Sequence, residues 1–377
     1  MLSVLQQFGF HPRSVVWELT LACNLHCRHC GSRAGRARPD EMSTERAMRL
    51  CDELADLGCK KATLGGGEPT LYKNWPMIAA KLNARGIQVN MTTNGLNFDD
   101  HLAKQIKAMG LYSVCFSVDG LQETHEYVRR VPGHFERIMN AFDICRRHKL
   151  TFSVITTVFK RNMGELEELR DLLHKRGVRW WQLQLGNPTG FCAENRDLVI
   201  EPEDVLEVVP LIARLRRESL TKPPKVFAGD NVGYYGDLEV DLREQKATVP
   251  FWIGCRAGCQ VIGIESNGNV KGCLSLPSAL NGVDRFVEGN LNENTLAEIW
   301  NKPGAFAYNR EFTRDKLGGF CHDCEYAEIC RGGCSWTTFA HTNDRTDNPY
   351  CYHRQLALKT QREKAQQAAS PEDSVVS

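Results

Sequence analysis

The 377-residue sequence lacks an excess of charge of either sign, because 47 Lys and Arg residues are balanced by 46 Asp and Glu residues. A non-specific nucleic-acid binder or membrane-surface binder needs a basic excess or stripe, so the balance argues against both. The sequence also has no run of 18 apolar residues, and residues 1–12 lack the basic and then apolar layout of a signal peptide. These absences predict a soluble, cytoplasmic protein with neither a nucleic-acid partner nor a membrane partner.

Cysteine, by contrast, is abundant. Sixteen cysteines are present, of which three lie between residues 23 and 30 and eight between residues 255 and 351. Since no export signal precedes them, metal or redox chemistry is favoured over a disulfide framework. The sequence therefore predicts two cysteine-rich regions with bound metal.

From about residue 14 to residue 185, short β-branched runs alternate with helical patterns, which is typical of βαβ units around a parallel sheet. Six strands are predicted, at Val15–Leu19, Ala62–Gly65, Gln88–Thr92, Ser113–Val118, Phe152–Val158 and Trp180–Leu185. Six strand–helix units are too few for a closed eight-stranded barrel. The expected fold is therefore α/β, with a partial (β/α)6 TIM-like barrel that leaves an open side for a large substrate.

Five segments are predicted along the chain. They are an N-terminal extension (1–13), the partial barrel (14–200), a bridging helix and loop (201–254), a cysteine-rich domain (255–355) and a C-terminal tail (356–377). Within the bridging segment, residues 202–218 have a helical pattern, whereas prolines and glycines predict a loop over residues 221–241. Residues 361–377 are polar and small, which indicates a frayed helix that ends in a disordered tail.

The first cysteines form the motif Cys23-x3-Cys27-x2-Cys30, and His29 directly precedes the last of them. Three thiolates can hold three irons of a four-iron cube, which leaves the fourth iron open to a non-protein ligand. Structural zinc, the alternative, normally takes four ligands in paired Cys-x2-Cys steps. The motif resembles the signature of radical S-adenosylmethionine (SAM) enzymes. That resemblance implies a cluster whose open iron binds the methionine moiety of SAM, and reductive cleavage to a 5′-deoxyadenosyl radical.

Two further segments carry the same resemblance. Gly66, Gly67 and Glu68 end the second predicted strand and resemble the Gly-Gly-Glu motif that holds the methionine amino group in this family. Ser117 and Asp119, at the end of the fourth strand, resemble its Ser-hydrophobic-Asp-Gly segment and are expected to accept or donate hydrogen bonds to SAM. Strand-end turns without a ligand are the alternative for both segments.

Three more residues are assigned to the SAM pocket by the resemblance. Arg130 aligns with an arginine that forks onto the methionine carboxylate, for which guanidinium geometry is suited, although a solvated arginine is the alternative. Leu185 ends the sixth strand, where backbone close to the adenine is expected. His29 is expected to flank the adenine or to pack beside the cluster.

The C-terminal cysteines resemble the SPASM extension of this family, which is named for peptide-modifying and sulfatase-maturating members. Their spacing is Cys255-x3-Cys259, Gly268-x4-Cys273, Cys321-x2-Cys324-x5-Cys330-x3-Cys334 and then Cys351. The resemblance implies two auxiliary [4Fe-4S] clusters in an interleaved arrangement, and three clusters in the whole chain with SAM as the further cofactor. The first auxiliary cluster would be held by Cys255, Cys259, Cys273 and Cys334, and the second by Cys321, Cys324, Cys330 and Cys351. Family members vary at the position of Cys259, and two zinc sites are the alternative.

The predicted function is therefore a radical SAM oxidoreductase that oxidatively modifies a peptide or protein, for example by a thioether or carbon–carbon crosslink in a ribosomal peptide. Alternatives are modification of a tetrapyrrole side chain, sulfatase maturation, and a non-enzymatic iron–sulfur electron carrier. Sulfatase maturases carry an aspartate directly after the cysteine matched by Cys273, whereas this chain has Leu274. That departure disfavours the maturase alternative.

The expected partners are a peptide or protein substrate and an external electron donor, flavodoxin or ferredoxin. Only about thirteen residues precede the first strand, so either a separate carrier protein presents the peptide or the substrate needs no leader. No general base is identifiable from the sequence. The candidates near the predicted barrel mouth are Cys192, Asp230, Tyr234, Tyr235 and His341, and Cys192 is also a candidate thiol or hydrogen-atom donor.

Overall fold

An open sheet forms the centre of the computed structural model, which describes residues 9–243, 250–277 and 284–369. Its strands are β1 (Ser14–Thr20), β2 (Lys61–Gly66), β3 (Gln88–Thr93), β4 (Ser113–Ser117), β5 (Phe152–Val158), β6 (Trp180–Leu185), β7 (Lys225–Ala228), β8 (Val261–Ile264), β9 (Asn269–Lys271) and β10 (Gly289–Asn290). Within the described residues the spatial order is β10-β9-β8-β1-β2-β3-β4-β5-β6-β7. All neighbouring pairs from β8 through β1 to β7 are parallel, and β9 is antiparallel to both β8 and β10.

Helices connect the parallel strands. They are α1 (Thr44–Asp56), α2 (Trp75–Ala84), α3 (Asp100–Ala108), α4 (Gln122–Arg129), α5 (His134–His148), α6 (Leu166–Lys175) and α7 (Val205–Glu218). The later helices are α8 (Glu239–Leu242), α9 (Leu296–Asn301), α10 (Ala307–Arg310), α11 (Gly319–Asp323), α12 (Ala327–Cys330), α13 (Ser335–Thr342) and α14 (Tyr352–Ala369). No helix of the described ranges is both long and apolar enough to cross a membrane.

The predicted fold class is confirmed: the six expected strands all form, and a cysteine-rich segment follows them. The core lies between the sheet and its helices, where Trp17, Phe116 and Trp181 are almost completely buried. Helix α1 shows how the sequence sets this packing. Ser43 caps its first turn by accepting from the Arg46 N–H, and its apolar face, which includes Leu50, is buried.

The loop predicted over residues 221–241 is wrong in part, because it contains β7. This short strand pairs with β6 from Trp180 opposite Lys225 onwards, and Val226 is fully buried between the sheet and α7. Four residues are too few to show a strand period among prolines and glycines, so only the neighbouring strand reveals it. The helix predicted over residues 202–218 forms as a short 3-10 turn followed by α7.

The C-terminal segment adds to the same sheet. Strand β8 lies parallel to β1, with Ser14 opposite Val261. The sheet therefore extends on both sides of the six predicted strands, yet β7 and β10 at its ends do not pair with each other in the described residues. Helix α14 continues into the predicted tail as far as Ala369, and residues 370–377 lie outside the described residues.

Candidate functional site

The predicted site residues meet at the carboxyl edge of the parallel strands. Cys23, Cys27 and Cys30 lie in the loop that follows β1, and Glu68 and Asp119 follow β2 and β4. Because neighbouring strands β1 to β4 are parallel, their carboxyl ends share one edge, where α/β folds place their ligands. The structure thus brings together residues that are nearly one hundred positions apart in the chain.

The three cysteines form a compact thiol triplet. Backbone N–H groups already point at two of the sulfurs: Leu25 donates to Cys23 Sγ at 3.4 Å and Ala34 to Cys30 Sγ at 3.3 Å. Burial raises the pKa of Cys27 to about 11, a rise that Arg129 opposes and the neighbouring thiols Cys30 and Cys23 support. A metal or other positive charge at the sulfur would therefore favour the thiolate of Cys27.

The glycines after β2 allow the cysteine loop to pack closely. Gly66 has φ +129°, and a Cβ there would lie 2.3 Å from the carbonyl oxygen of Thr20. At Gly67 a Cβ would lie 2.2 Å from the carbonyl oxygen of Ala22. Both glycines are thus required by the approach of β2 to the segment that leads into the thiol triplet, whether or not they also contact a ligand.

Glu68 is buried and joins the ends of two strands. Its Oε1 accepts from the hydroxyls of Thr70 (2.7 Å) and Thr93 (2.8 Å), while its Oε2 accepts from the N–H of Asn94 (2.8 Å). Burial raises the pKa of Glu68, and these donors oppose that rise. Oε2, with one donor, has the greater remaining capacity to accept the ammonium group predicted for it.

Asp119 forms a buried ion pair beside the thiol triplet. Its Oδ2 lies 2.6 Å from Arg129 Nη2 and 3.4 Å from His29 Nε2, and Arg129 Nη1 lies 3.8 Å from Cys27 Sγ. Burial opposes ionisation of this carboxyl, but Arg129 and then His29 hold the pKa of Asp119 below its ordinary value. The guanidinium therefore links a buried carboxylate directly to one of the thiols.

The arginine that lies beside the thiol triplet is Arg129, whereas the sequence prediction assigned that place to Arg130. Arg130 caps the end of α4 with a left-handed φ of 62°, and its side chain is exposed. Arg129 lies four residues after the buried His125 and one residue after the buried Val128, on the inward face of α4. One residue of helical rotation therefore separates the arginine in the site from the one on the surface.

The remaining pocket predictions are placed as follows. His29 is 13% exposed and packs edge-on against Phe159 at 5.3 Å, and burial lowers its pKa to about 4. Ser117 is the half-buried last residue of β4. Leu185 is buried, and its N–H and C=O both bond the side chain of Asn231, at 3.1 and 2.8 Å. Its backbone is thus already occupied at the point where an adenine contact was expected.

A buried histidine pair was not predicted from the sequence. The N–H of Asp119 donates to His125 Nδ1 (3.1 Å), His125 Nε2 lies 2.9 Å from His134 Nδ1, and His134 Nε2 lies 2.9 Å from the carbonyl oxygen of Asn94. The backbone donor at one end and the backbone acceptor at the other fix both tautomers, with each Nε2 protonated. The pair therefore joins the ends of β3 and β4 on either side of the site.

The residues around the thiol triplet fit a bound cluster and an organic cofactor. Three buried polar atoms there have no hydrogen-bond partner: Asn24 Nδ2, His29 Nδ1 and Arg129 Nε. Buried polar atoms are normally paired, so such atoms at one place indicate a missing ligand. No three His, Cys, Asp or Glu side chains of the described residues converge closely enough to hold a single metal ion. A four-iron cube instead takes its thiolates at separate corners.

The C-terminal cysteines separate into two groups in space. In the first thiol quartet, Cys255 influences the titration of Cys259, Cys273 and Cys334. In the second thiol quartet, Cys330 and Cys351 interact with each other and with Cys321 and Cys324. The second quartet also lines one cavity together with Tyr235 and Tyr326. These are the same interleaved sets that the family resemblance implied.

The two quartets fit four-iron clusters by their donor sets and surroundings. Each offers four thiols, and all sixteen cysteines of the chain are free of disulfides. Buried donors without a partner lie close by, namely Tyr308 Oη, Trp336 Nε1 and Asn348 Nδ2. Sulfur atoms of a cluster are acceptors that such donors can reach.

The candidate general bases do not gather at one place. Cys192 is buried among apolar side chains, which raises its pKa to about 11. Tyr234 and Tyr235 pack with cysteines of the two quartets, and Asp230 lies 3.6 Å from Arg256 at the surface. His341 alone contacts the loop after β6, through Asn187 Oδ1 at 3.1 Å, and burial lowers its pKa to about 4.

Family models match both halves of the chain. The model described as the radical SAM superfamily matches residues 17–173, and the model described as an iron–sulfur cluster-binding domain, SPASM, matches residues 255–325. The first range contains the thiol triplet, Glu68 and Asp119, and the second begins at the first quartet.

Curated relatives align over most of the chain. The AdoMet-dependent heme synthase of Methanosarcina barkeri is 28% identical over 354 residues, which cover 91% of this chain and 97% of that protein. The mycofactocin maturase of Mycolicibacterium smegmatis is 28% identical over 330 residues, which cover 87% of this chain and 79% of that protein.

Solved structures share the fold. Streptococcus suis SuiB bound to its precursor peptide SuiA superposes with a TM-score of 0.71 at 17% identity, over 93% of this chain and 78% of that chain. Native anSMEcpe with bound AdoMet superposes with a TM-score of 0.70 at 18% identity, over 95% of this chain and 100% of that chain. The chain therefore belongs to the radical SAM superfamily and carries a C-terminal SPASM domain, and it is an enzyme that uses SAM and multiple [4Fe-4S] clusters.

Proposed function

We propose that this enzyme oxidises its substrate, using one radical-generating site and two auxiliary clusters. The observation that carries the proposal is the sorting of the eight C-terminal thiols into two complete quartets beside an incomplete triplet. When bound, SAM and the triplet's cluster supply a 5′-deoxyadenosyl radical that removes a hydrogen atom from substrate. A fully ligated cluster mainly carries electrons, so two of them suit a reaction in which the substrate also loses an electron.

The residues around the triplet have distinct roles in this proposal. Cys23, Cys27 and Cys30 hold the cluster, and Glu68 Oε2 accepts from the methionine ammonium of SAM. Arg129, fixed by its ion pair with Asp119, offers its unpartnered Nε to the methionine carboxylate. The smaller contributions fall to the backbone at Gly66 and Gly67, the hydroxyl of Ser117, the ring of His29 and the buried side chain of Leu185.

We propose a peptide or protein as the substrate, as in a ribosomal peptide that acquires a crosslink. The open sheet supports this choice, since β7 and β10 leave the barrel unclosed in the described residues and a long substrate can enter from the side. The mycofactocin maturases among the relatives support it too, because that name denotes maturation. An external flavodoxin or ferredoxin is the proposed electron donor, with or without a separate carrier for a leader peptide.

A tetrapyrrole is the second candidate substrate, and one cavity favours it. A planar polycarboxylate needs aromatic walls and basic groups. A cavity of about 260 Å³ in the C-terminal segment is lined by both kinds of side chain, among them Phe286, Phe339, Arg285 and Lys316. The heme synthases also align with this chain over 97% of one relative's length.

One anaerobic assay tests the reaction and both substrates. The reconstituted enzyme is incubated with SAM, dithionite and either synthetic peptides translated from the short open reading frames around its gene or iron coproporphyrin III. The readouts are 5′-deoxyadenosine and the mass of the product. We expect an oxidised peptide, with a loss of hydrogen. An oxidised tetrapyrrole would instead support the second candidate, and stimulation by neither would contradict both substrate proposals.

The Cys334→Ala variant is the matched control for the auxiliary clusters. It leaves the thiol triplet unchanged, so SAM cleavage should continue while product formation is lost. Undiminished product from this variant would contradict the electron-accepting role of the first quartet.

A further inference from the structure

Three arginines surround the first thiol quartet, and each is anchored next to one of its cysteines. Arg310 Nε donates to the carbonyl oxygen of Gly258 at 2.7 Å, directly before Cys259. Arg345 Nη2 donates to Ser335 Oγ at 2.8 Å, directly after Cys334 in the chain.

Arg331 completes the arginine trio. A Cβ added to Gly254 would lie only 3.0 Å from Arg331 Cδ. The Arg331 side chain therefore packs on Gly254, the residue directly before Cys255. Each guanidinium also lies over an aromatic ring: Arg310 over Trp300 at 4.3 Å, Arg331 over Phe312 at 4.9 Å and Arg345 over Tyr308 at 4.7 Å. Cation–π contacts of this kind hold a guanidinium in place without neutralising its charge.

Two of these arginines form no ion pair. Within the described ranges, no carboxylate oxygen lies within 4.0 Å of the guanidinium nitrogens of Arg331 or Arg345, and the carboxylates that act on them, Glu328 and Asp344, are farther away. All three arginines are anchored at residues that adjoin quartet cysteines: Gly258 before Cys259, Ser335 after Cys334 and Gly254 before Cys255. A positive field therefore reaches the place where the first quartet would bind a cluster.

The second quartet has a different surrounding. The N–H of Cys321 donates to Asp347 Oδ1 at 3.3 Å, and Asp347 is in turn paired with Arg354 at 2.8 Å. Glu325 directly follows Cys324 in the chain, and Arg314 Nε donates to the carbonyl oxygen of His322. Charged groups of both signs thus accompany the second quartet, whereas three arginines are anchored beside the first and two of them form no ion pair in the described residues.

We infer that the arginine trio raises the reduction potential of the auxiliary cluster at the first quartet above that of the cluster at the second. A cluster's potential rises as positive charge is placed beside it, because the reduced state carries one more negative charge. One electron passes from the substrate radical to the cluster at the first quartet, and it later leaves to a ferredoxin-type carrier. The inference rests on the two auxiliary clusters of the proposed function and is independent of the substrate.

The test is a redox titration followed by electron paramagnetic resonance. It uses the full chain with Cys23, Cys27 and Cys30 changed to Ala, so that only auxiliary signals remain. In the Arg345→Gln variant we expect the reduced-to-oxidised ratio of one auxiliary cluster to fall about tenfold at a fixed potential, equivalent to about 59 mV for one electron. The Arg345→Lys variant keeps the charge and should keep the potential.

Two further variants identify which auxiliary cluster gives the shifted signal and control for the change in overall charge. Cys351→Ala removes a ligand of the second quartet, so the signal it leaves belongs to the first. Arg314 lies at the second quartet, where its Nε donates to the carbonyl oxygen of His322 at 2.9 Å. Arg314→Gln therefore removes an equal charge and should leave the first-quartet potential unchanged.

An unchanged first-quartet potential in Arg345→Gln, at full iron content, would overturn the inference. An equal shift in Arg314→Gln would overturn it as well, because the effect would then be one of overall charge. Should Arg345→Gln lose iron, Arg331→Gln decides, since within the described residues the Arg331 guanidinium makes one long hydrogen bond, from Nε to the Glu328 carbonyl oxygen at 3.3 Å. No titration here contains substrate, so failure of the substrate proposals leaves the outcome unaffected.

Discussion

The thiol triplet and the second thiol quartet are held in place by different means. The triplet's loop leaves a central strand, and the sheet below it has a continuous core that includes Trp17, Phe116 and Trp181. The segment from residue 307 to residue 351 has helices of four to eight residues and small buried clusters, in which cysteines themselves are members. The comparison indicates that the apolar core of the barrel holds the thiol triplet in place. In the C-terminal segment, by contrast, metal ligation supplies folding free energy to the residues around it.

Removal of all iron should give the largest effect, and its effect on amide exchange should differ between the C-terminal segment and the barrel. Because ligation supplies folding energy where the apolar core is small, residues 307–351 should lose amide-exchange protection without iron, while β2 to β5 keep theirs. Hydrogen exchange with mass spectrometry on the loaded and iron-free chain measures this directly.

The triple Ala variant at Cys23, Cys27 and Cys30 is the matched control for iron removal. It should fall from about twelve to about eight irons per chain and keep protection in both regions. Equal protection of residues 307–351 with and without iron would contradict the comparison.

A core truncation should affect the barrel by a smaller amount. Phe116 is completely buried in β4 and touches Phe98 and Phe142, so Phe116→Ala should lower the free energy of unfolding by about 3–5 kcal/mol. Phe251, which is 40% exposed, is the control, and Phe251→Ala should cost less than about 0.5 kcal/mol. Denaturant titrations of both variants measure the two free energies of unfolding. Similar losses in the two variants would mean that the barrel core does not stabilise the site.

Arg129 and Arg130 allow a test of the site that differs by one residue. Arg129→Gln removes a charged donor beside Asp119 and Cys27, so the Kd for SAM should rise about 10- to 100-fold, the range for a hydrogen bond to a charged group. Arg130→Gln removes an exposed side chain and should leave that Kd unchanged. Equilibrium dialysis with SAM measures both, and a larger effect at Arg130 would restore the assignment made from the sequence.

Acidification should give the smallest effect, through the buried histidine pair. Burial lowers the pKa of His134 to about 4, whereas the unfolded chain protonates it near its ordinary value of about 6.5. The unfolded state therefore binds more protons below about pH 6.5, and stability falls with decreasing pH by about 1.4 kcal/mol per unit until the folded pKa is reached.

Unfolding free energies at pH 7.5 and pH 5.5 test this, with His134→Gln as the comparison. The variant should lose about 1.4 kcal/mol less between the two pH values than the parent. An identical pH dependence in parent and His134→Gln would contradict the neutral state assigned to the pair.

Local signals predicted the strands and the thiol triplet, whereas the membership of the two quartets was implied by the family resemblance. A strand pattern and a cysteine spacing are contained in a few neighbouring residues, so they can be recognised without the fold. Strand β7 was missed because its strand partner in the described residues is β6, which lies about forty residues earlier in the chain, so four local residues do not reveal the pairing. The choice between Arg129 and Arg130 depended on where α4 ends, and helix ends are poorly set by local sequence.

The histidine pair and the arginine trio were missed for another reason. His125 and His134 meet only because α4 and α5 cross beside the ends of β3 and β4. A partial signal existed, since His125, Val128 and Arg129 follow the spacing of one buried helical face. The trio had no such signal, because its members lie at positions 310, 331 and 345 and converge only after the quartet cysteines have been brought together.

The parallel pairing of β1 with β8 has a consequence for the order of synthesis. Strand β1 carries the loop of the thiol triplet, yet one of its two edges has no partner until residues 261–264 have left the ribosome. For the time needed to translate some 240 residues, roughly tens of seconds, the first strand of the nascent chain presents an unpaired edge. The strand that carries the thiol triplet therefore gains its second neighbour late in synthesis. A chaperone that binds extended backbone could bind β1 during that interval.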